Sequence, residues 1–257
     1  MIRIENFTKT FNRGTANEVV ALKDVSLQIA PGEFTVVIGT NGSGKSTLLN
    51  AIAGTFFGDG GKIFIGTDDI TAMPDFLRAK FIGRVFQNPF SGTAPTMTIA
   101  ENLQLASLRG QPKGFRIGLG NMQRKALQKK VAELGMGLED RLNAPIGLLS
   151  GGQRQALTLL MATLREPKIL LLDEHTAALD PKSAEQVLRL TEELVVNYKL
   201  TALMVTHSME QAVRSGSRLV MMHDGQPVFD AKDADKWQLT SQDLMRKFLD
   251  LGVATAV

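Results

Sequence analysis

Residues Gly39–Thr47 read "GTNGSGKST", preceded by the apolar run "FTVVIG" and continuing into "GKSTLLNAIAG". The stretch fits G-x-x-x-x-G-K-[ST] in the context that gives the pattern meaning, a strand entering and a helix leaving from Lys45. Gly39, Gly42 and Gly44, with Asn41 and Ser43 between them, let backbone N–H groups converge on phosphate oxygens with no bulky side chain in the way. The start of the following helix adds partial positive charge. Lys45 is expected to reach the β- and γ-phosphates, and the Ser46 hydroxyl to ligate Mg²⁺, with Thr47 in the same binding set. The motif implies a bound nucleoside triphosphate.

The pattern of strand then helix recurs along the chain. "KILLLDE" precedes "PKSAEQVLRLTEELVVNY", and "TALMVTH" precedes "SMEQAVRSG". Near-continuous apolar strands with helices between them predict an α/β fold on a buried, mainly parallel sheet. Residues 1–35 and "KIFIG" read instead as edge or antiparallel strands, forming an N-terminal antiparallel β subdomain. "SRLVMMHDGQPVFD" reads as a hairpin turning at Asp224-Gly225. From about 88 to 167 the strand signal fades, while "TIAENLQLASLR", "NMQRKALQKKVAEL" and "GGQRQALTLLMATL" have helical periodicity. A helical subdomain over 88–167 is therefore expected inside a core of 1–87 and 168–235, with a short helical tail at 236–257.

Composition narrows the classes. The 257 residues suffice for a full core, as one large domain or one with an inserted subdomain. No apolar run approaches the ~20 residues of a bilayer span, and the alternating "MIRIENFTKTF" reads as a strand rather than a signal peptide. The absence of cysteine excludes disulfides and thiolate metal sites. A net charge of +3, from 29 basic and 26 acidic residues, is too weak to argue for a nucleic-acid partner on its own. The one basic cluster, Lys113–Lys130, reads either as a solvated helix face or as a surface near lipid headgroups.

Two further stretches separate the possible chemistries. A GTPase would carry N/T-K-x-D after a later strand, and a small-molecule kinase an arginine-bearing lid; neither is evident. "LSGGQRQ", Leu149–Gln155, places Ser150, Gly151, Gly152 and Gln153 at a second helix start suited to an anion. If the two helix starts lie on separate subdomains, the economical arrangement is a head-to-tail dimer in which each closes on the partner's nucleotide. In "LLLDEHTAALD", Asp173 and Glu174 end an apolar run beside His175, one of only three histidines.

The phosphate loop, "LSGGQRQ", "ILLLDEHTAALD" and "MVTH", in this order, resemble the nucleotide-binding subunit of an ATP-binding cassette (ABC) transporter over roughly residues 2–230. The resemblance implies a P-loop NTPase core, ATP and Mg²⁺ as ligands, and ATP hydrolysis. It implies that Asp173 and Gln87 of "RVFQNP" attend the metal and that Glu174 is the general base. It further implies that His207 contacts the γ-phosphate, that Asp180 communicates across the dimer, and that Phe11 of "TKTF" stacks on adenine.

The same resemblance places the subunit peripherally at the cytoplasmic face of the cell membrane. Its implied partners are a second ATPase subunit, transmembrane permease subunits and an extracytoplasmic solute-binding protein, with "PFSGTAPTMTIAENL" touching the permease. "FQNPFSGTAPTMTIAENLQLA" and "LLMATLREPKILLLDEHTAALDPKSAEQVL" are similar to ATPases of bacterial uptake systems for aromatic amino acids and related solutes, in which His175 stands where most members have proline. Export or lipid-handling ATPases share all these motifs. A soluble member acting on DNA or ribosomes is disfavoured, because neither a long coiled-coil insertion nor a second cassette is present.

Overall fold

The computed structural model of the chain describes residues 1–111 and 120–251. It divides into two compact units, one of Met1–Arg78 with the described residues from Leu200 onward, the other of the described residues in Ala79–Lys199. In chain order the first unit starts with β1 (Ile2–Phe11), β2 (Val19–Ile29), β3 (Phe34–Gly39) and α1 (Lys45–Ala53). It continues with β4 (Gly60–Ile65), the two-residue β5 (Asp68–Asp69) and α2 (Asp75–Arg78). The second unit contains β6 (Ile82–Val85), α3 (Ile99–Ser107), α4 (Asn121–Ala132), α5 (Gly151–Thr163), β7 (Ile169–Asp173) and α6 (Pro181–Asn197). The chain then completes the first unit with β8 (Ala202–Val205), α7 (Met209–Arg214), β9 (Arg218–His223), β10 (Gln226–Lys232), α8 (Asp233–Trp237) and α9 (Ser241–Asp250).

In the first unit β1 lies between β2 and β4, antiparallel to both, with Ile2 opposite Ile29 and Ile65. The apolar–polar alternation of "MIRIE" turns Ile2 and Ile4 into the core, and a register shift with Asn6 at φ 47° brings Phe7 in as well. β3 runs parallel to both β8 and β9, with Val37 opposite Val205 on one side and Val220 on the other. Every residue of β3 is buried, which explains why "FTVVIG" shows no alternation. β9 and β10 form the expected antiparallel hairpin, with Asp224 and Gly225 at φ 51° and 81°, the left-handed pair of a type I′ turn. The fold is the expected α/β arrangement, with an antiparallel N-terminal sheet and a mixed, mainly parallel one.

In the second unit β6 and β7 pair in parallel, Val85 opposite Leu172. α5 packs against both β6 and α6 and is buried along most of its length. α6 starts at Asp180, whose side chain accepts from Ser183 N at 3.1 Å, with Pro181 at the first helical position. Part of the basic cluster noted in the sequence, residues 113–119, lies outside the described residues. Of the remainder, Lys130 donates to the Tyr198 hydroxyl at 2.5 Å. No described helix is long and apolar enough to cross a membrane.

Arg78 ties the first unit's helix to its loops. It is 1% exposed, and its guanidinium donates to Ala51 O at 2.7 Å and Ile52 O at 2.9 Å, in the last turn of α1. It also donates to Met73 O at 2.7 Å and Thr71 O at 3.1 Å. Its hydrogen bonds run to backbone carbonyls, with Asp75 as a nearby counter-charge, so truncation strands several buried acceptors together. Arg78→Met is expected to lower stability by about 3 kcal/mol, read as a fall in the urea midpoint. An unchanged midpoint would show that these carbonyls find water as readily as the guanidinium.

Candidate active site

The phosphate loop of the first unit is shaped by two close approaches. A Cβ on Gly39 would lie 2.4 Å from both Met222 O and Ser43 Oγ. Gly44 sits at φ 97°, and its Cβ would lie 2.6 Å from Ala21 O. Both positions therefore need glycine, on steric grounds at one and on steric and conformational grounds at the other. Ser43 N donates to Thr40 O at 3.2 Å and Ser43 O accepts from Gly225 N at 3.1 Å, so the β9–β10 turn supports the loop.

The loop's chemistry suits an anion. Gly44 caps α1 without a side-chain hydrogen bond, and the first turn of α1 holds no acidic residue. The Ser43 hydroxyl is buried without a hydrogen-bond partner. Lys45, 6% exposed, donates from Nζ to Gly39 O at 2.7 Å and Thr40 O at 2.9 Å, holding a positive charge inside the loop. An orphaned hydroxyl, an uncapped helix start and a buried ammonium in one short segment fit phosphate oxygens as acceptors and counter-charge. Asn41, Gly42 and Ser46 are exposed and Thr47 is half-buried.

Two more sequence-predicted residues lie in this unit. Phe11, at the end of β1, meets Phe56 edge to face at 5.2 Å, with Lys9 Nζ 5.4 Å from its ring. His207 is exposed and lies beyond the end of β8, which stops at Val205. The sequence reading carried that strand to His207. Thr206 N still donates to Val37 O at 3.1 Å, which extends the β3 contact by one residue.

The second unit brings Gln87 and Glu174 together. β6 and β7 are parallel and in register at Val85 and Leu172, so the residues two beyond each strand partner fall side by side. Gln87 Nε2 donates to Glu174 Oε2 at 3.2 Å. Glu174 holds φ 43°, a left-handed conformation costly for a residue with a Cβ and found where surroundings over-determine it. Next to it, Asp173 Oδ2 accepts from Arg84 Nη2 at 3.3 Å. Among the described residues no three acids or histidines cluster as a metal cage. A Mg²⁺ site built here would take few protein oxygens, which is how this ion is bound beside phosphates.

Ser150 starts α5 with a capping box. Its hydroxyl accepts from Gln153 N at 3.3 Å, and the Gln153 side chain accepts from Ser150 N at 3.3 Å. Ser150 and Gly151 are exposed, whereas Gly152 is buried, and a Cβ there would meet the Ser183 side chain at 2.8 Å. Asp180 caps α6, and the Ser183 hydroxyl and backbone N–H hold its carboxyl below the usual carboxylate range.

Sequence reasoning passed over Arg154 and Gln155. Arg154, 2% exposed, donates to Gly147 O at 2.8 Å and Leu149 O at 3.1 Å and lies 3.7 Å over the Phe90 ring. Gln155, fully buried, donates to Phe86 O at 2.9 Å and so fixes the residue before Gln87. The available signal was a polar Gln-Arg-Gln run entering an otherwise apolar helix.

The family model described as "ABC transporter" matches residues 22–177. The tyrosine transport ATP-binding protein of Clostridioides difficile (strain R20291) is 40% identical over 248 residues, 96% of this chain and 98% of its own length. A methionine import ATP-binding protein of Pseudomonas savastanoi pv. phaseolicola (strain 1448A / Race 6) is 34% identical, covering 97% of this chain and 72% of its own. Among solved structures, a dimeric post-hydrolysis state of an ATP-binding cassette bound to ADP and Pi is similar at a TM-score of 0.77 and 31% identity, over 90% of this chain and 98% of that one. The ADP conformation of another cassette reaches a TM-score of 0.80 at 28% identity, over 98% of each chain.

His175 is 1% exposed and its Nε2 lies 3.0 Å from Thr191 Oγ1. Burial pushes its pKa from the ordinary 6.5 down to about 4. The unfolded chain therefore takes up this proton first as pH falls. The resulting contribution to stability is complete above about pH 6.5 and is lost as pH drops through about 4. Between pH 7.5 and 5 the melting temperature is expected to fall less in His175→Asn than in the parent chain. Equal falls in thermal melts at the two pH values would contradict the burial of a neutral ring.

Proposed function

Because this chain belongs to the ABC transporter family, as an ATP-binding, ATP-hydrolysing subunit, we propose that it powers solute import through separate permease subunits. The observation that carries the mechanistic part is the Gln87–Glu174 hydrogen bond at two adjoining strand ends, with Glu174 in a strained backbone conformation. Under this reading Phe11 stacks on adenine, and Gly39–Thr47 wraps the phosphates through backbone N–H groups. The Lys45 ammonium turns from the loop carbonyls to the β- and γ-phosphates. Ser46, Asp173 and Gln87 would hold Mg²⁺, which when bound neutralises phosphate charge. Gln87 orients the attacking water and Glu174 accepts its proton at the carboxylate, while His207 donates to the γ-phosphate.

The second half of each site comes from another copy of the chain. A hydroxyl can accept and donate at once, so Ser150 can keep its bond from Gln153 N while offering its O–H to a phosphate. Gly151, Gly152 and Gln153 present the helix start behind it, and Asp180 relays the state of one site to the other. The relative solved as a dimer with ADP and Pi supports a homodimer, for which a head-to-tail arrangement is the one that joins both sets of donors. Binding of ATP favours the closed dimer because only that state offers both sets of donors.

Functionally, the core comprises 1–87 and 168–235, and the helical subdomain of 88–167 transmits closure to the permease. Phe90, in the segment "PFSGTAPTMTIAENL", is an exposed large apolar side chain suited to that contact. The subunit works at the cytoplasmic face of the cell membrane, with an extracytoplasmic solute-binding protein supplying cargo. The near-full-length relative named for tyrosine transport supports an aromatic amino acid or a related solute as that cargo.

Glu174→Gln is expected to bind ATP normally, to accumulate as a nucleotide-bound dimer on gel filtration, and to hydrolyse ATP at least ~100-fold more slowly. Turnover within about twofold of the parent would refute Glu174 as the base. Lys45→Ala is expected to lose nucleotide binding in equilibrium dialysis. With the permease co-reconstituted, Phe90→Ser should reduce solute uptake while ATPase activity persists; unimpaired uptake would remove this segment from the coupling path.

A further inference from the structure

Glu174 is flanked by two side chains that are anchored in different elements. On one side Asp173 is held by Arg84 of β6. On the other, His175 reaches into α6, where Thr191 is completely buried. Thr191 Oγ1 also lies 2.8 Å from Val187 O, one turn earlier in α6. A threonine hydroxyl carries one proton, and a carbonyl can only accept, so that proton is committed to Val187 O. The oxygen is then left to accept from the imidazole, which places the ring proton on Nε2. The chain His175 Nε2–H to Thr191 Oγ1–H to Val187 O has one direction and no exposed member.

The left-handed turn at Glu174 needs such anchoring. Its carbonyl accepts from Ala177 N at 2.9 Å, so the chain reverses immediately after β7. A Glu free to relax to the right-handed or extended region would swing its carboxylate away from Gln87, since changing φ re-aims the side chain. Resting on the assignment of Glu174 as the base, we infer that His175 is a positioning residue for hydrolysis, pinning the Glu174 backbone to α6 through Thr191 so that the carboxylate stays on Gln87. The competing role is plain core filling, in which any side chain of similar volume would serve.

Steady-state ATPase assays on the full chain separate the two. His175→Leu and Thr191→Val, which keep volume and delete the bond, are expected to lower kcat about tenfold with the KM for ATP within about twofold. His175→Gln, which carries an N–H near the position of Nε2, and Thr191→Ser should each restore kcat to within about threefold of the parent. In a Glu174→Gln background, adding His175→Leu should change the residual rate less than about twofold, because the group it positions is already disabled. Thr191→Val carries the test if His175→Leu does not fold. Parent-like kcat in both deletions, alongside an inactive Glu174→Gln, would overturn the positioning role and leave the base assignment standing. A tenfold loss that persists undiminished in the Glu174→Gln background would also overturn it. An active Glu174→Gln variant would instead overturn the base assignment, and the positioning role with it.

Discussion

Gly39 has no room for a side chain, and much of the first unit's chemistry follows from that. β3 is flanked by β8 and β9, so its end is walled by Met222 on one side, and the loop must fold back at once, bringing Ser43 against Gly39. A loop that tight cannot satisfy its own polar groups. It leaves the Ser43 hydroxyl orphaned, the first turn of α1 uncapped, and the Lys45 ammonium with loop carbonyls as its close partners. Each of these would be a defect in an ordinary turn. Together they suit phosphate, whose oxygens would accept from all of them and whose charge the lysine would match.

A different constraint governs the second unit. Parallel pairing carries no tight turn, so the ends of β6 and β7 are free to diverge once the ladder stops. They do not diverge, because the register continues into the Gln87–Glu174 bond and a salt bridge joins Arg84 to Asp173. Gln155 fixes Phe86 from the helix behind, and Arg154 fastens the segment Ile146–Leu149 that leads into Ser150. The start of α5 thus supports both the segment leading into Gln87 and the Ser150 terminus of its own helix. A single helical turn has two assignments, and the polar run Gln153–Gln155 in an otherwise buried helix reflects them.

What could be read from the sequence divides along the same line. The strands buried on both faces, the I′ hairpin and the phosphate loop are local patterns, legible because period, turn chemistry and glycine spacing act over a few residues. The end of β8 was misplaced at His207 because an apolar run stops one residue before a buried threonine, and burial alone does not distinguish a strand from its exit. Arg78, Arg154 and Gln155 have partners that could not be read, for a different reason. Each is a polar residue whose acceptors are backbone carbonyls, and carbonyls carry no sequence identity. Arg218, bound to Glu33, Asp230 and Gln28 O, is likewise assembled from segments far apart in the chain.

His175 shows how far such reasoning extends. Beside two acids it invites the question of a ligand or a base, but with no Cys or His partner nearby in sequence it reads instead as shaping the turn toward Asp180. The decisive facts are non-local: a threonine on the middle of α6 whose own proton is already committed, and burial too complete for the ring to hold a charge at neutral pH. A neutral imidazole donating from Nε2 to Thr191 is poorly suited to take up a proton at neutral pH, yet it can hold a backbone against relaxation. On the proposed reading, chemistry at the end of β7 belongs to the carboxylates, and the histidine would contribute the geometry in which one of them can act.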